Sequence, residues 1–188
     1  MEGFVIYEPR RLSMGKYSGE INGTSSFWDD LKSGKFTSMI KESSKGNAVS
    51  NAQEGFNIMK PFYTSQDDIE KMYCIFMDAK NKVIKIEKLF SGTITASAVY
   101  PREIVKRILE LKSAAVILSH NHPSGNITPS SSDFAVTARI HAALTSIDVA
   151  LHDHLIIGKD FYSFAEHGFM EKAKQKYQDF VSASVIEN

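Results

Sequence analysis

Two short apolar runs constrain this chain more than any other feature. Residues 72–77 and 114–118 are compact, bounded and too short for helices, so each is read as a buried strand. Residues 149–158 form a third strand that turns at Gly158-Lys-Asp into a short one over 161–164. The turn sequence Asp78-Ala-Lys-Asn-Lys82 makes a hairpin, with 83–90 returning beside 72–77.

Helical patterns fill the gaps between these strands. Phe56 and Met59 are helically spaced within residues 51–60, and Pro61 ends that segment. Pro101 opens a helix whose apolar positions are Ile104, Ile108 and Leu111. A longer helix starts at Ser130 or Ser131 and runs to about Leu144, with Phe134, Thr137, Ala138, Ile140 and Leu144 as a broadly apolar face. Residues 171–181 make a C-terminal helix that packs on the core or on another chain, so a homo-oligomer stays open. Strands alternating with helices, plus one hairpin, give a mixed α/β layered domain.

The expected organisation is an N-terminal extension over 1–50, the α/β domain over 51–170, and a C-terminal helix and tail over 171–188. Residues 1–50 are rich in glycine and weakly periodic, although Phe27, Trp28, Leu31 and Phe36 fit one short helix.

Composition narrows the function classes. Apolar residues make up 43% and charged residues 23%, which suits a globular chain with a core. Lys+Arg and Asp+Glu balance at 22 each, so the basic excess of a nucleic-acid wrapper is missing. Lys80, Lys82, Lys85 and Lys88 form a local basic run, read as a solvated hairpin. The single cysteine, Cys74, permits neither an internal disulfide nor a thiolate metal site. No secretory signal and no membrane span is apparent, so the expected location is the cytoplasm.

The chemistry centres on Ser119-His-Asn-His-Pro-Ser-Gly, which places two imidazoles at i and i+2. Leaving a strand, positions two apart share a face, so both rings reach one ion. The loop 120–129, with its Pro, Gly and Asn residues, leaves space for solvent or substrate. Ser130-Ser-Ser-Asp133 is a Ser-x-x-Asp variant of the capping box, which holds Asp133 rigidly in a first helical turn. His120, His122 and Asp133 together leave a fourth tetrahedral position for water, as a catalytic zinc site requires. Taken singly, a His-x-His pair arises by chance and Asp133 complements a helix dipole; it is the conjunction that points to metal.

The string His120-x-His122-x10-Asp133, with Pro123 and Ser130, resembles the JAMM (MPN+) signature. Phe90-Ser-Gly-Thr93, Val99-Tyr-Pro-Arg-Glu103, His120-Asn-His-Pro-Ser-Gly125, Pro129-Ser130, Asp133 and Asp153-His-Leu-Ile-Ile-Gly158 are similar, in order, to the bacterial RadC-like branch. This resemblance implies a JAMM/MPN fold, a curved mixed sheet flanked by helices and related in layout to the cytidine deaminases. It implies one Zn2+ per chain on His120, His122 and Asp133. It also implies Glu70 as the catalytic acid–base and Ser130 as a hydrogen-bond donor to the oxyanion. The residues by themselves leave Glu87 and Glu103 as alternatives to Glu70. Asp153 and His154 point to opposite faces of their strand; either one orients a zinc ligand, or both form a satisfied polar pair. His141, His152 and His167 are read as ordinary residues.

Two function classes follow. The first is a zinc hydrolase cutting an amide or isopeptide bond in a peptide or protein. The second is a RadC-type accessory or binding protein acting on DNA, in repair or on mobile elements, with metal-dependent nuclease chemistry as a variant. Many RadC-like proteins carry a DNA-touching helix-hairpin-helix region, and residues 1–50 show no such pattern. A zinc deaminase needs His-x-Glu and Pro-Cys-x-x-Cys, which one cysteine excludes.

Overall fold

Every residue of the first strand after Lys71 is buried, and this decides the layering. β1 (Lys71–Met77) sends Tyr73, Ile75 and Met77 to one face and Met72, Cys74 and Phe76 to the other. A strand buried on both sides needs cover on both sides, so the sheet is sandwiched between helices. The computed structural model describes residues 35–63, 68–93 and 99–186.

The elements run α1 (Lys35–Ser44), α2 (Ala52–Met59), a 3-10 turn (Lys60–Phe62), β1, β2 (Val83–Ser91), α3 (Pro101–Leu111), β3 (Ala115–Asn121), α4 (Ser131–Thr145), β4 (Ala150–Ile157), β5 (Phe161–Ser163) and α5 (Phe169–Ile186). The sheet has five strands in the order β2-β1-β3-β4-β5. Only β3 and β4 are parallel, joined by the crossover through α4; the remaining pairs are antiparallel. This is the mixed α/β fold expected from the sequence. Among the described residues, no helix is long and apolar enough to cross a membrane.

One face carries Phe56, Met59 and Phe62 against Tyr73, Ile75, Ile117, Leu155 and Ile157. The other carries Ile104 and Ile108 of α3 and Val136, Ile140 and Leu144 of α4 against Cys74, Phe76, Val116 and Leu118. The Asn51 side chain caps α2 by accepting from Glu54 N, while Pro101 starts α3 in its first turn. The helix expected around residues 27–36 lies outside the described residues apart from its end, where Phe36 belongs to α1. Residues 46–49 bond to the β1–β2 hairpin through Gly46 N to Val83 O and Val49 N to Asn81 O, both 2.9 Å. Val49 joins the core, so packing continues across residue 50.

Arg107 ties α3 to β2. Its Nε and Nη2 each donate at 2.6 Å to the two carboxylate oxygens of Glu87, and it also pairs with Glu110. These hydrogen bonds outweigh partial burial and pull the Glu87 carboxyl from its ordinary 4.5 to about 2. The folded value lies below the unfolded one, so this contribution is complete above the unfolded value and is lost as pH falls through about 2. Glu87→Gln removes the titrating charge and, because an amide nitrogen cannot accept, one of the two Arg107 hydrogen bonds. The gap in Tm between parent and variant is therefore expected to be widest near about pH 6 and to close toward about pH 2. A gap that stays constant across a calorimetric pH series would assign Glu87 no linked role.

Candidate metal centre

Strand β3 runs on through His120 and Asn121, where the sequence suggested a loop from His120 onward. The reason is pairing: Met72 opposes His120 on β1, while Ile156 and Ile157 of β4 oppose His120 and Asn121. Pairing on both sides keeps the strand extended through His120, and pairing with β4 alone carries it to Asn121. His120 therefore leaves a rigid strand and is fully buried. His122 stands just beyond it at the start of a turn closed by Gly125 N donating to His122 O.

Asp133 is positioned from the other direction, by the capping box at the start of α4. Ser130 N and Ser130 Oγ each donate to Asp133 Oδ2 at 2.7 Å, and Asp133 N donates back to Ser130 Oγ at 3.2 Å. The carboxylate is almost fully buried and faces both imidazoles. Asp133 Oδ1 lies 3.1 Å from His120 Nε2, and Oδ2 lies 3.3 Å from His122 Nε2. The two Nε2 atoms are 3.0 Å apart.

The other ring nitrogens are tied off, which fixes what these Nε2 atoms present. His122 Nδ1 donates to the Asn126 carbonyl at 2.6 Å. Thr137 Oγ1 donates to the Asp133 carbonyl at 2.5 Å, so it accepts from His154 Nδ1 at 2.6 Å. His154 Nε2 must then accept from His120 Nδ1, at 2.8 Å. With both Nδ1 atoms protonated, two Nε2 lone pairs and a carboxylate converge with only a cation or an extra proton able to sit among them. Ligands about 2.0–2.1 Å from a tetrahedral ion lie about 3.3 Å apart, so the observed 3.0–3.3 Å spacings fit a metal. His120, His122 and Asp133 form the cluster among the described residues that can hold a metal ion.

A proton on either Nε2, in the place a cation would take, becomes a hydrogen bond to Asp133, and the titration of the cluster reflects that protonated arrangement. Burial alone raises the Asp133 carboxyl, but hydrogen bonds from His120 and then His122 hold it well below the usual carboxylate range. The Asp133 hydrogen bond, opposed by burial, lifts His122, and the Asn126 carbonyl and the charges of Asp133 and Glu70 add to this. Burial first, and then the His120 charge, push His154 well below its ordinary value, so it stays neutral within the relay.

The candidates named from the sequence separate clearly. Glu70, just before β1, places its charge where His122 feels it. Glu87 is committed to Arg107 and Glu103 pairs with Arg102. Of Asp153 and His154, only His154 turns to the metal cluster. Asp153 lies on the opposite face, accepting from Ser163 Oγ, Ala165 N and His154 N. Ser130 spends its single hydroxyl proton on Asp133, so an oxyanion role requires it to release that carboxylate.

Thr137 escaped the sequence reading, which placed it on an apolar helix face. The available signal was its position four residues after Asp133, one turn along the same side of α4. Thr137→Val keeps the shape and removes the relay's acceptor. It is expected to weaken metal binding about 10–100-fold with the fold intact. Competition against a chelator measures this, and parental affinity would show the relay to be idle.

Gly158 has a similar indirect role. A Cβ there would meet Ile127 Cγ2 at 2.8 Å and the Gly125 carbonyl oxygen at 3.1 Å, in the loop whose Asn126 carbonyl holds His122. Gly158→Val should displace that loop and cost roughly tenfold in metal affinity, read by the same competition.

The RadC-like JAB domain family matches residues 49–169, more than half of the sequence. The chain belongs to the RadC-like JAB domain family. Among its relatives, a UPF0758 protein of Janthinobacterium sp. (strain Marseille) is 50% identical over 102 residues, covering 54% of this chain and 46% of that protein. UPF0758 protein YfjY of Escherichia coli (strain K12) is 47% identical over 102 residues, covering 54% of this chain and 64% of YfjY. A UPF0758 protein of Actinobacillus pleuropneumoniae serotype 5b (strain L20) is 39% identical over 138 residues, or 69% of this chain and 63% of the relative. These alignments span about half to two thirds of the relatives' own length, and the family match in this chain covers residues 49–169. It contains β1 through β5 and every residue of the metal cluster.

Proposed function

We propose that this JAB domain is a zinc-dependent hydrolase that cleaves an amide or isopeptide bond in a peptide or protein. The observation that carries the reading is the convergence of two Nε2 lone pairs and a buried carboxylate, with both Nδ1 atoms tied off. Imidazole nitrogens with one carboxylate suit zinc, and three protein ligands leave a position open. A zinc ion in that place supplies Lewis acidity and brings the pKa of a water toward about 7.

The chain's own residues do the rest. Glu70 accepts the water's proton and passes it to the leaving nitrogen. Asp133 is held still by Ser130, and His120 by His154 and Thr137, so the ligand geometry is fixed before substrate arrives. A cavity of about 790 Å³ opens beside His122, with Lys60, Tyr63, Pro123, Ile127 and Ile157 among its lining. Its mixed apolar and polar walls suit an extended peptide.

The deciding experiment combines metal analysis of the purified chain with cleavage of a panel of isopeptide-linked and linear peptides. Zinc-dependent cleavage, abolished by chelation and restored by zinc, is the expected result. Salt-sensitive DNA binding that survives loss of the ligands, with no cleavage of any amide, would replace this reading with an accessory role on DNA.

A further inference from the structure

The residue between the two histidines faces away from the metal cluster and is nevertheless almost fully buried. Asn121 is the last residue of β3, and its amide reaches across to the segment that enters β1. Its Oδ1 accepts from Lys71 N at 2.8 Å, and its Nδ2 donates to the Ile69 carbonyl at 3.4 Å. The residue between those two backbone groups is Glu70, whose own carbonyl accepts from Gly92 N at 2.9 Å.

The register explains why a side chain is needed there. Backbone pairing of β1 with β3 ends at Met72 opposite His120. One residue further out, the Lys71 N–H takes its partner from the Asn121 side chain instead. A primary amide carries an acceptor and a donor on one carbon, so it can grip an N–H and a C=O two residues apart. Asp offers no donor, Ala offers neither group, and Gln places the amide one methylene further out.

We propose that Asn121 is a positioning residue that fixes Glu70 against the metal cluster, an inference that rests on the hydrolase reading. The strand that delivers His120 thereby also delivers the base: one side chain locks the entry of β1 to the end of β3. The distance between base and ligands is then set by the β1–β3 register.

The test uses the full chain loaded with Co2+, whose visible spectrum reports the metal's surroundings. Glu70→Gln removes an anion beside the cation and should move the pH midpoint of the spectrum downward. Asn121→Ala should still bind about one Co2+ per chain and shift the midpoint in the same direction. The double variant should move no further than Glu70→Gln alone. A midpoint moved by Glu70→Gln but left at the parental value by Asn121→Ala would overturn the proposal. Hydrogen exchange on the parent provides a check independent of any variant's folding: the Lys71 amide should be protected, and exchange at an unprotected rate would equally overturn the clasp. A parent that takes up no Co2+ would instead overturn the hydrolase reading, leaving the exchange measurement to decide the clasp.

Discussion

Asp133→Asn protein should fold like the parent and retain less than about a tenth of a zinc ion per chain, where the parent retains about one. The substitution is nearly isosteric and leaves the start of α4 intact, because the amide oxygen can still accept from Ser130 N and Oγ. What changes is the other branch of the side chain. In the parent, Oδ1 presents a lone pair 3.1 Å from His120 Nε2. An amide nitrogen in that place presents hydrogen instead, and donates to the lone pair that a metal requires. The variant thus loses a ligand and a charge and gains a competing hydrogen bond, all at a buried site. His120→Ala should lose zinc as well, but with a lower Tm. It leaves a cavity and strips buried His154 Nε2 of its donor. Metal analysis after dialysis, paired with thermal melts, separates the two effects. A full zinc ion in Asp133→Asn would remove that carboxylate from the centre.

Glu70→Gln should give the opposite signature: zinc retained at about one per chain, with turnover reduced about 10²–10⁴-fold. Glu70 is not in the ligand cluster, so the metal has no reason to leave. Its charge adds to the field at His122, and the proposed mechanism gives it the proton of a water at the open position. Glutamine keeps the size and hydrogen-bonding capacity but cannot accept the proton. The measurement is the cleavage rate at matched zinc content. Parental cleavage by the zinc-loaded variant would take Glu70 out of the mechanism and reopen the question of the base. Neither competing glutamate is well placed to answer it: Glu87 is locked to Arg107, and Glu103 pairs with Arg102 at the surface.

Much of the centre is legible in the order of residues alone because it is built from local rules. Two residues apart along a strand means one face. Ser and Asp three residues apart at a helix start mean a capping box, which forms here; the two histidines also converge, although only His120 lies on β3 and His122 sits in the turn just after it. The apolar runs at 72–77 and 114–118 became β1 and β3, and Pro101 did open a helix. These features depend on backbone geometry within a few residues, which the order of residue types along the chain specifies.

The partners of the site were decided elsewhere. That His154 rather than Asp153 supports His120 follows from the parallel register of β3 and β4, in which Leu118 opposes His154. Thr137 reads as one more residue of a helix face until α4 packs over β4. Asn121 reads as a spacer between two histidines until β1 lies against β3, when its amide closes on either side of Glu70. The sequence by itself determined the ligand types and their local geometry, since fixed short spacings set direction. The tertiary structure alone decided which distant groups hold those ligands in place, because pairing register is a property of whole strands packed together and no single stretch of residues contains it.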